Sequence, residues 1–448
     1  MISHLRVLRR VLIGNQPAKE QLAGLLEADM KRRRVVISGL GTISPLGNDV
    51  SSTWEKASQG RSGIATITAF DASEYKTQIA GDIKEFDPAA QFGRKEARRL
   101  SRVTQLALAA AEQALRDAKL DINDANRDRI GIIIGSGMGS MEPMITNTEK
   151  LSNQGPRKVS PFFVPMMLAD TPAATVSINF GLRGTNMSVA TACATGNNAL
   201  GEAAVTIQRG AADVMLAGGS EACILPLAIA GFGIMGALST ENDHPQKASR
   251  PFDLERDGFV ASEGAALLVL EELEHARARQ APIYGEFLGY GNSSDAHHIS
   301  QPLSDGSGAS RAMMAALKDA GLTAADIDYI NAHGTSTALN DAAETAAIKN
   351  AFGKRAYQIP VSSTKSIHGH LLGAAGALEA IISLKSIESG LIPPTINQQK
   401  PDPACDLVYG ANVARQANVQ TVMSNGFGFG GHNASIIMGK YTPNGDKN

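Results

Sequence analysis

A cysteine at the predicted start of a helix is the residue best suited to covalent chemistry. Residues 188–193 read as a strand ending in a turn, and the chain from Ala194 onward reads as a helix, so Cys193 stands at the junction. The free N–H groups and the dipole at a helix N-terminus lower a thiol pKa from about 8.5 and favour the nucleophilic thiolate. The alternative is an inert buried cysteine, which is common for free cysteines.

Two histidines occupy similar junctions. His333 lies where a predicted strand enters the loop Gly334-Thr-Ser-Thr337, and His370 follows Lys365-Ser-Ile-His-Gly at another strand end. Loops at strand ends are the usual location of site residues in an α/β sheet. One such histidine would more often be structural. Two of them together with a cysteine at a helix start indicate a thiol-based catalytic site.

The elements that must position these residues alternate along the chain, which predicts an α/β protein with buried strands. Besides the strand that starts at Val35, the predicted strands cover residues 130–134, 212–217, 265–270, 284–290, 327–331 and 421–424. The predicted helices cover residues 103–119, 196–208, 309–320, 341–351 and 371–386.

A faint internal repeat indicates two related halves. The segment Ala114-Leu-Arg-Asp-Ala-Lys-Leu120 is echoed by Ala316-Leu-Lys-Asp-Ala-Gly-Leu322, and each precedes a predicted strand. Cys193 and His370 also each precede a helix of small residues, which predicts that the two helices cross closely. We expect an N-terminal extension at 1–34 that is poorly ordered or a short helix, halves at 35–283 and 284–439, and a tail at 440–448.

The composition excludes several classes of protein. The 448 residues carry a net charge of −2, which argues against nucleic-acid binding, and the three scattered cysteines suit a reducing compartment. The longest uncharged stretch, residues 222–240, contains Pro226 and several glycines, so no membrane span is expected. We therefore predict a cytoplasmic protein, and import into an organelle through the arginine-containing residues 1–34 stays open.

Two segments match the glycine pattern of a dinucleotide-binding loop, at residues 231–236 and 426–431. Neither lies in a first βαβ unit followed by an acidic residue, which that loop requires. We expect no nucleotide and no other cofactor.

Several motifs together resemble those of the β-ketoacyl-acyl-carrier-protein synthases, and most closely the synthase II type. They comprise Thr191-Ala-Cys193, His333-Gly-Thr-Ser-Thr337, residues 365–376, residues 425–431, Ser249-Arg-Pro-Phe-Asp253 and Arg256-Asp-Gly-Phe259. The resemblance covers residues 35–438 in order. It implies the thiolase fold, with duplicated βαβαβαββ halves in a five-layered α-β-α-β-α arrangement.

The resemblance also implies a mechanism. Cys193 would accept an acyl chain from acyl carrier protein, and malonyl-carrier protein would then lose CO₂ and attack the acyl thioester. His333 and His370 would donate hydrogen bonds to the enolate, and the N–H groups of Cys193 and Phe429 would form a second oxyanion hole. Lys365 would orient these groups, paired with Glu344. Glu344 shares a predicted helix face with Asp341, and the alternative is a solvated face.

The remaining implied roles concern the substrate and its carrier. An acyl pocket would be lined by Met138, Phe232, Thr335, Thr337, Phe427 and Phe429. A basic cluster would dock the acidic acyl carrier protein through Lys95, Arg98 and Arg99. A homodimer is expected from the resemblance. The chain departs from the family pattern at three positions, with His368 and His432 in place of threonine and Gly236 in place of arginine.

Four other interpretations are weighed against this one. A polyketide ketosynthase would use the same chemistry in another pathway. A non-condensing chain-length partner usually lacks the cysteine, which this chain retains. A zinc site could use Cys193, His333 and His370, with His368 or His432 as a further ligand, but a nearby Lys365 would oppose a metal cation. A degradative thiolase needs a second catalytic cysteine, and Cys223 and Cys405 lie in no such motif.

Overall fold

The computed structural model describes residues 32–443, and it contains the same series of elements twice. The first βαβαβαββ series consists of β1 (Val35–Ile43), α4 (Arg102–Asp117), β4 (Ile130–Gly135), α7 (Thr171–Phe180), β5 (Asn186–Met187), α8 (Thr195–Gln208), β6 (Val214–Glu221) and β7 (Gly264–Glu272). The second consists of β8 (Gly285–Ser294), α12 (Ser307–Ala320), β9 (Tyr329–Asn331), α13 (Ala338–Phe352), β10 (Val361–Ser362), α15 (Ala375–Ser389), β13 (Thr421–Gly428) and β14 (His432–Gly439).

Additional helices and strands lie between the members of the two series. The helices are α1 (Val50–Ser58), α2 (Pro88–Phe92), α3 (Arg94–Ala97), α5 (Met141–Gln154), α6 (Phe163–Met167), α9 (Pro226–Ile234), α10 (Pro245–Ala248), α11 (Leu273–Ala278) and α14 (Lys365–His368). The strands are β2 (Ala65–Thr66), β3 (Ile79–Ala80), β11 (Leu391–Ile392) and β12 (Arg415–Gln416). Short 3₁₀ turns include Ala192–Ala194 and Leu372–Ala374.

The strands of both series join in a ten-stranded sheet with the order β10-β9-β13-β14-β8-β1-β7-β6-β4-β5. The order on one side of the β8-β1 junction mirrors the order on the other. At the junction, Val35 pairs with Phe287 and Ile37 with Gly285 in antiparallel register. Within each half, the three strands farthest from the junction run parallel, and the last strand of the series pairs antiparallel with its neighbours.

Three hydrophobic clusters separate the layers. The central cluster contains α8 and α15 together with side chains from both halves of the sheet. One outer cluster joins α4 to β4, β6 and β7, and the other joins α12 to β9 and β13. The helices α4 and α12 therefore lie on the outside, one half of the sheet lies beneath each of them, and α8 and α15 lie in the middle. This arrangement confirms the predicted five-layered thiolase-like fold.

Glycines allow the two central helices to cross closely, as the small residues predicted. A Cβ added at Gly196 of α8 would lie 2.7 Å from the backbone nitrogen of Ala377, and one at Gly376 of α15 would lie 1.7 Å from Asn197 Oδ1. Any larger residue would push the helices apart. The same crossing brings the N-terminal ends of α8 and α15 together.

Each predicted helix and strand overlaps an observed one, except near the nucleophile. The sequence predicts a strand ending in a turn at residues 188–193, but the observed strand is Asn186–Met187, which ends before that segment. The chain then enters the 3₁₀ turn Ala192–Ala194, and Ala192 takes a left-handed conformation with φ of +49°. That conformation is incompatible with an extended strand.

The basic run at the start of the described chain is bound to the body of the protein. Arg33 forms an ion pair with Asp213 at 2.7 Å, and Arg34 pairs with Glu286 at the same distance. The other residues of the predicted extension, 1–31, and residues 444–448 of the predicted tail lie outside the described residues. Between residues 32 and 443, no helix combines the length and hydropathy needed to cross a bilayer.

Candidate active site

A cavity of about 520 Å³ contains the cysteine and both histidines predicted from the sequence. All six residues predicted for the acyl pocket also line it, namely Met138, Phe232, Thr335, Thr337, Phe427 and Phe429. Strand ends and loops from both halves meet here. The sequence prediction therefore selected one contiguous site from segments nearly 300 residues apart.

The reactive atoms lie close enough to act on one substrate. The Cys193 sulfur and one ring nitrogen each from His333 and His370 all lie within 4.8 Å of one another. The two imidazole rings are 5.3 Å apart between centroids and nearly perpendicular. Phe259 and Phe427 pack edge-on against His370 and His333 respectively, which leaves the rings little freedom to rotate.

A tight turn presents the Cys193 sulfur at the start of α8. The equivalent turn before α15 has the same strained conformation, with φ of +46° at Leu372 against +49° at Ala192. Gly373 therefore occupies the position in the second turn that Cys193 occupies in the first. The expectation that His370 stands directly before its helix is therefore wrong, because the turn Leu372–Ala374 comes between them.

The environment of Cys193 opposes the expected lowering of its pKa. Cys193 is half-buried and lines the cavity, and the loss of water around its thiol raises the pKa to about 12. Lys365 acts in the opposite direction, while Glu221 and Glu379 add to the rise. Loss of solvent outweighs the charge of Lys365, and the free protein holds Cys193 as a thiol.

Both histidines are neutral. Burial, followed by the positive charge of Lys365, lowers the pKa of His333 and of His370 well below the usual value. The Leu372 amide donates to His370 Nδ1 at 3.2 Å, so the ring proton resides on Nε2. Nε2 has no hydrogen-bond partner among residues 32–443. His370 therefore presents an N–H donor.

Lys365 forms an ion pair with Glu379, and the predicted pairing with Glu344 is wrong. Lys365 and Glu379 have 1% and 0% of their side chains exposed, and the Nζ donates to Glu379 Oε1. Glu379 lies on α15, fourteen residues after the lysine. The pair places a fully buried cation behind the two histidines.

Glu344 instead holds the backbone of the His333 loop. Its carboxylate accepts hydrogen bonds from the amides of His333 at 2.8 Å and Gly334 at 2.7 Å. Burial raises its pKa to about 7, against these donors, which lower it. Glu344 and Asp341 are both buried, so the alternative of a solvated helix face is wrong for this pair.

His368 is buried directly beside Lys365 and His370. Its Nδ1 lies 2.7 Å from the Gly369 carbonyl and its Nε2 lies 3.0 Å from the Thr364 hydroxyl. A ring that donates from Nδ1 and accepts at Nε2 satisfies both contacts. This departure from the family pattern therefore ties together the turn that carries Lys365 and His370.

The other residues singled out from the sequence lie at or beyond the edge of the cavity. Lys95, Arg98 and Arg99 are exposed on and just after α3. Gly236 lines the cavity at its exposed rim. His432 begins β14 and is not among the residues that line the cavity.

Sequence reasoning missed Glu221, a fully buried carboxylate at the end of β6. It accepts hydrogen bonds from the amides of Gly137, Met138 and Gly373, at 2.7, 3.2 and 2.9 Å. Glu221 therefore connects the loop of Gly137 and Met138, where the sequence predicted part of the acyl pocket, to the turn before α15. The sequence does contain one signal for this role, which is the acidic residue at the end of the apolar strand Val214–Glu221. A carboxylate buried there needs several hydrogen-bond donors.

The cysteine and the two histidines also have the donor atoms that zinc prefers. Lys365, however, is close enough to lower the pKa of both histidines, so its charge would oppose a metal ion at the same place. The donor set fits a metal, but the local charge does not.

This fold and this cysteine-histidine site define a condensing enzyme of the thiolase-like class. Residues 32–276 match the family model "Beta-ketoacyl synthase, N-terminal domain", and residues 284–399 match "Beta-ketoacyl synthase, C-terminal domain". The chain belongs to the β-ketoacyl synthase family.

Relatives support this at high identity. The chain is 51% identical to the "3-oxoacyl-[acyl-carrier-protein] synthase 2" of Staphylococcus aureus strain N315 over 92% of this chain and 99% of that protein. It is 49% identical to the protein of the same name from Synechocystis, over 92% of this chain and 100% of the relative.

Solved structures agree. A "Beta-ketoacyl synthase from Burkholderia phymatum STM815" is 39% identical with a TM-score of 0.84, and the match covers 92% of this chain and all of that one. A type II polyketide ketosynthase solved in complex with its acyl-carrier protein is 36% identical with a TM-score of 0.85, and the match again covers 92% of this chain and all of the other.

Proposed function

We propose that the chain is a β-ketoacyl-acyl-carrier-protein synthase of type II, an acyltransferase of fatty-acid elongation. It condenses malonyl-carrier protein with an acyl chain held on Cys193, and the products are 3-oxoacyl-carrier protein, free carrier protein and CO₂. The observation that carries the proposal is the set of Cys193, His333 and His370 reactive atoms within 4.8 Å of one another, in a largely apolar cavity.

In the first half-reaction, the Cys193 sulfur attacks the acyl thioester of the carrier protein. The new S–C bond forms as the bond to the carrier sulfur breaks, and the cysteine proton ends on the departing carrier thiol. The amides of Cys193 and Phe429 are proposed to stabilise the tetrahedral oxyanion. Gly428 supports this assignment, because a Cβ there would lie 2.9 Å from the Cys193 nitrogen, so β13 approaches the nucleophile closely.

In the second half-reaction, malonyl-carrier protein loses CO₂ and the electrons of the broken C–C bond form an enolate. The N–H groups of His333 and His370 are proposed to meet the negative charge on its oxygen. The enolate carbon then attacks the acyl-cysteine, the C–S bond breaks, and the released sulfur takes up a proton from solvent. Neutral histidines suit this role, because each keeps a proton to donate.

Lys365 and Glu344 are proposed as positioning residues. Burial lowers the pKa of both imidazoles, and the buried Lys365 charge lowers it further. Glu344 fixes the backbone on which His333 is carried. Neither residue lines the cavity, so we assign neither of them a direct contact with substrate.

The acyl carrier protein is proposed as the partner that delivers both substrates. Lys95, Arg98 and Arg99 form an exposed basic cluster that would attract its acidic surface. Met138, Phe232, Thr335, Thr337, Phe427 and Phe429 are proposed to contact the acyl chain and its linker.

A homodimer is proposed through the free edge of the sheet. Strand β5 is the last strand on its side, and both of its residues are exposed. Exposed apolar side chains include Met187 of β5 itself and, on other segments, Phe162, Val164 and Leu168. Unpaired sheet edges with apolar surroundings are normally covered. A cytoplasmic location and the division into halves at 35–283 and 284–439 stay predictions.

A polyketide pathway is the second candidate, because one similar solved structure, at 36% identity, is the ketosynthase of a type II polyketide acyl-carrier protein, and another, at 37% identity, is a ketosynthase/chain length factor. The chemistry at Cys193 would be the same. The preferred acyl length and the products made in the presence of reductive enzymes would separate the two pathways. A non-condensing chain-length partner would make no 3-oxoacyl product at all.

The test is to incubate the protein with acyl-carrier proteins of graded length and malonyl-carrier protein, and to follow 3-oxoacyl products by mass spectrometry. Cys193→Ala should abolish them. His333→Ala and His370→Ala should slow malonyl decarboxylation by about 100 to 1000-fold, with His432→Ala as the matched control outside the cavity. A Cys193→Ala variant with full condensing activity would refute the mechanism.

A further inference from the structure

The turn that carries Cys193 is strained, and other parts of the protein hold it in place. Ala192, the residue before the nucleophile, has a φ of +49°, which is unfavourable for a residue with a side chain. Strained residues at active sites persist only where the surrounding structure fixes them. The contacts that fix residues 191–193 therefore bear directly on the geometry of the nucleophile.

One anchor of the turn comes from the start of α8. The Thr195 hydroxyl accepts a hydrogen bond from the Thr191 amide at 2.8 Å and donates one to the Ala192 carbonyl at 2.7 Å. These two bonds close the turn locally, because all three residues lie within one short segment. They do not connect the turn to the second half of the chain.

A second anchor reaches the turn from the second half. Asn198 of α8 donates from Nδ2 to the Thr191 hydroxyl at 2.6 Å, and its Oδ1 accepts from the Tyr290 hydroxyl at 2.9 Å. Tyr290 lies on β8, and its oxygen accepts from Asn292 Nδ2 at 2.9 Å. The Tyr290 oxygen also lies 3.3 Å from Glu202 Oε1, which is a longer contact. The bonds from Tyr290 through Asn198 to Thr191 form a relay that uses both polar atoms of the Asn198 amide.

Packing fixes the position of the relay. A Cβ added at Gly201 of α8 would lie 2.4 Å from the Tyr290 ring, so the ring lies directly on the helix backbone. Burial raises the pKa of Tyr290, and the phenol therefore keeps the proton that it donates. Asn198 is only 8% exposed, so water offers its amide little alternative.

The residue held by the relay lies beside both proposed donors of the second oxyanion hole. A Cβ added at Gly428 of β13 would lie 2.6 Å from the Thr191 carbonyl oxygen and 2.9 Å from the Cys193 nitrogen. Gly428 directly precedes Phe429, whose amide is the other proposed donor. A shift of Thr191 would therefore change the spacing between the two amides.

We propose that Asn198 and Tyr290 are positioning residues for the acylation of Cys193. Through Thr191 they hold the Cys193 amide at the spacing from the Phe429 amide that the tetrahedral oxyanion requires. The inference rests on the proposed function. Neither Asn198 nor Tyr290 lines the cavity, so they act through the turn and touch no substrate.

The experiment compares the wild-type protein with Asn198→Leu, Tyr290→Phe and the double variant. Acylation of Cys193 by octanoyl-carrier protein is followed by mass spectrometry over one turnover, and CO₂ release from malonyl-carrier protein is measured separately. We expect the maximum acylation rate of Asn198→Leu to fall about 10 to 100-fold with KM unchanged, and that of Tyr290→Phe to fall less. CO₂ release should stay unchanged, because it depends on the two histidines. The double variant should be no slower than Asn198→Leu, because Tyr290 acts through Asn198.

Tyr284→Phe is the matched control. Tyr284 directly precedes β8, and its hydroxyl donates to Asp117 at 2.8 Å, away from the turn. Its loss should leave the acylation rate unchanged. Asn198→Leu acylated at the wild-type rate, or Tyr290→Phe as fast as Tyr284→Phe, would overturn the proposal. So would an equal fall in acylation and CO₂ release, because that result would indicate a general loss of structure. If wild-type Cys193 is not acylated by the carrier substrate at all, the proposed function itself fails.

Discussion

The buried pair of Lys365 and Glu379 gives the sharpest test of how the site is built. Glu379→Leu removes the only carboxylate found within hydrogen-bonding distance of Lys365 Nζ in residues 32–443, and Lys365→Met removes the cation. Both side chains are at most 1% exposed, so neither remaining charge could be solvated. Each single variant would leave an uncompensated charge in the core.

The expected magnitude follows from that burial. Breaking a buried pair on one side costs about 3 to 5 kcal/mol, whereas replacing both partners by apolar residues of similar volume is close to neutral. Urea unfolding at fixed protein concentration should therefore show each single variant of Lys365 or Glu379 strongly destabilised and the double variant near wild type. The double variant should nevertheless lose condensing activity, because it removes the cation that lies behind the two histidines and that adds to burial in lowering their pKa values.

The exposed pair of Lys400 and Glu255 provides the control, since its side chains are 57% and 59% exposed. Its coupling energy should stay below about 1 kcal/mol. A Glu379→Leu variant that loses less than about 1 kcal/mol, or a Lys365–Glu379 coupling no larger than the control, would refute the reasoning.

Three further predictions concern the nucleophile, the third histidine and the helix crossing. With its pKa raised to about 12, Cys193 should react with iodoacetamide about tenfold faster for each pH unit between about pH 7 and 10, and a plateau below about pH 9 would contradict this. His368→Ala removes the contact to the Gly369 carbonyl, so malonyl decarboxylation should fall about tenfold while the rate of Cys193 acylation stays unchanged. Gly376→Val would place carbon against Asn197 and should lower the free energy of unfolding by about 3 kcal/mol.

The sequence allowed the elements to be predicted because their patterns are local. The alternation of buried strands and helices is visible in the chain, and the repeated segments at Ala114 and Ala316 indicated the duplication. The turn at Cys193 was less predictable, because its small residues are compatible with a strand. Ala192 adopts a left-handed conformation and lies close to Gly428 of the other half, and neither feature has a local signature in the sequence.

The charge partners could not be predicted because they depend on tertiary contacts. Glu344 is eleven residues from His333 and Glu379 is fourteen from Lys365, and spacing alone does not indicate which carboxylate meets the lysine. The turn Leu372–Ala374 precedes α15, the helix on which Glu379 meets Lys365. A continuous helix from residue 371 would have given the side chain another direction.

The carboxylates around the cavity explain how a site made of loops is held rigid. Loops at strand ends have free amide groups, which packing of apolar side chains cannot satisfy. Glu344 binds the amides of His333 and Gly334, and Glu221 binds those of Gly137 and Met138. Because each carboxylate is buried, its bonds are stronger than they would be in water. The two acids therefore hold in place the loop of His333 and the loop of Gly137 and Met138, which line the same cavity, and the catalytic geometry depends on residues that do not themselves line it.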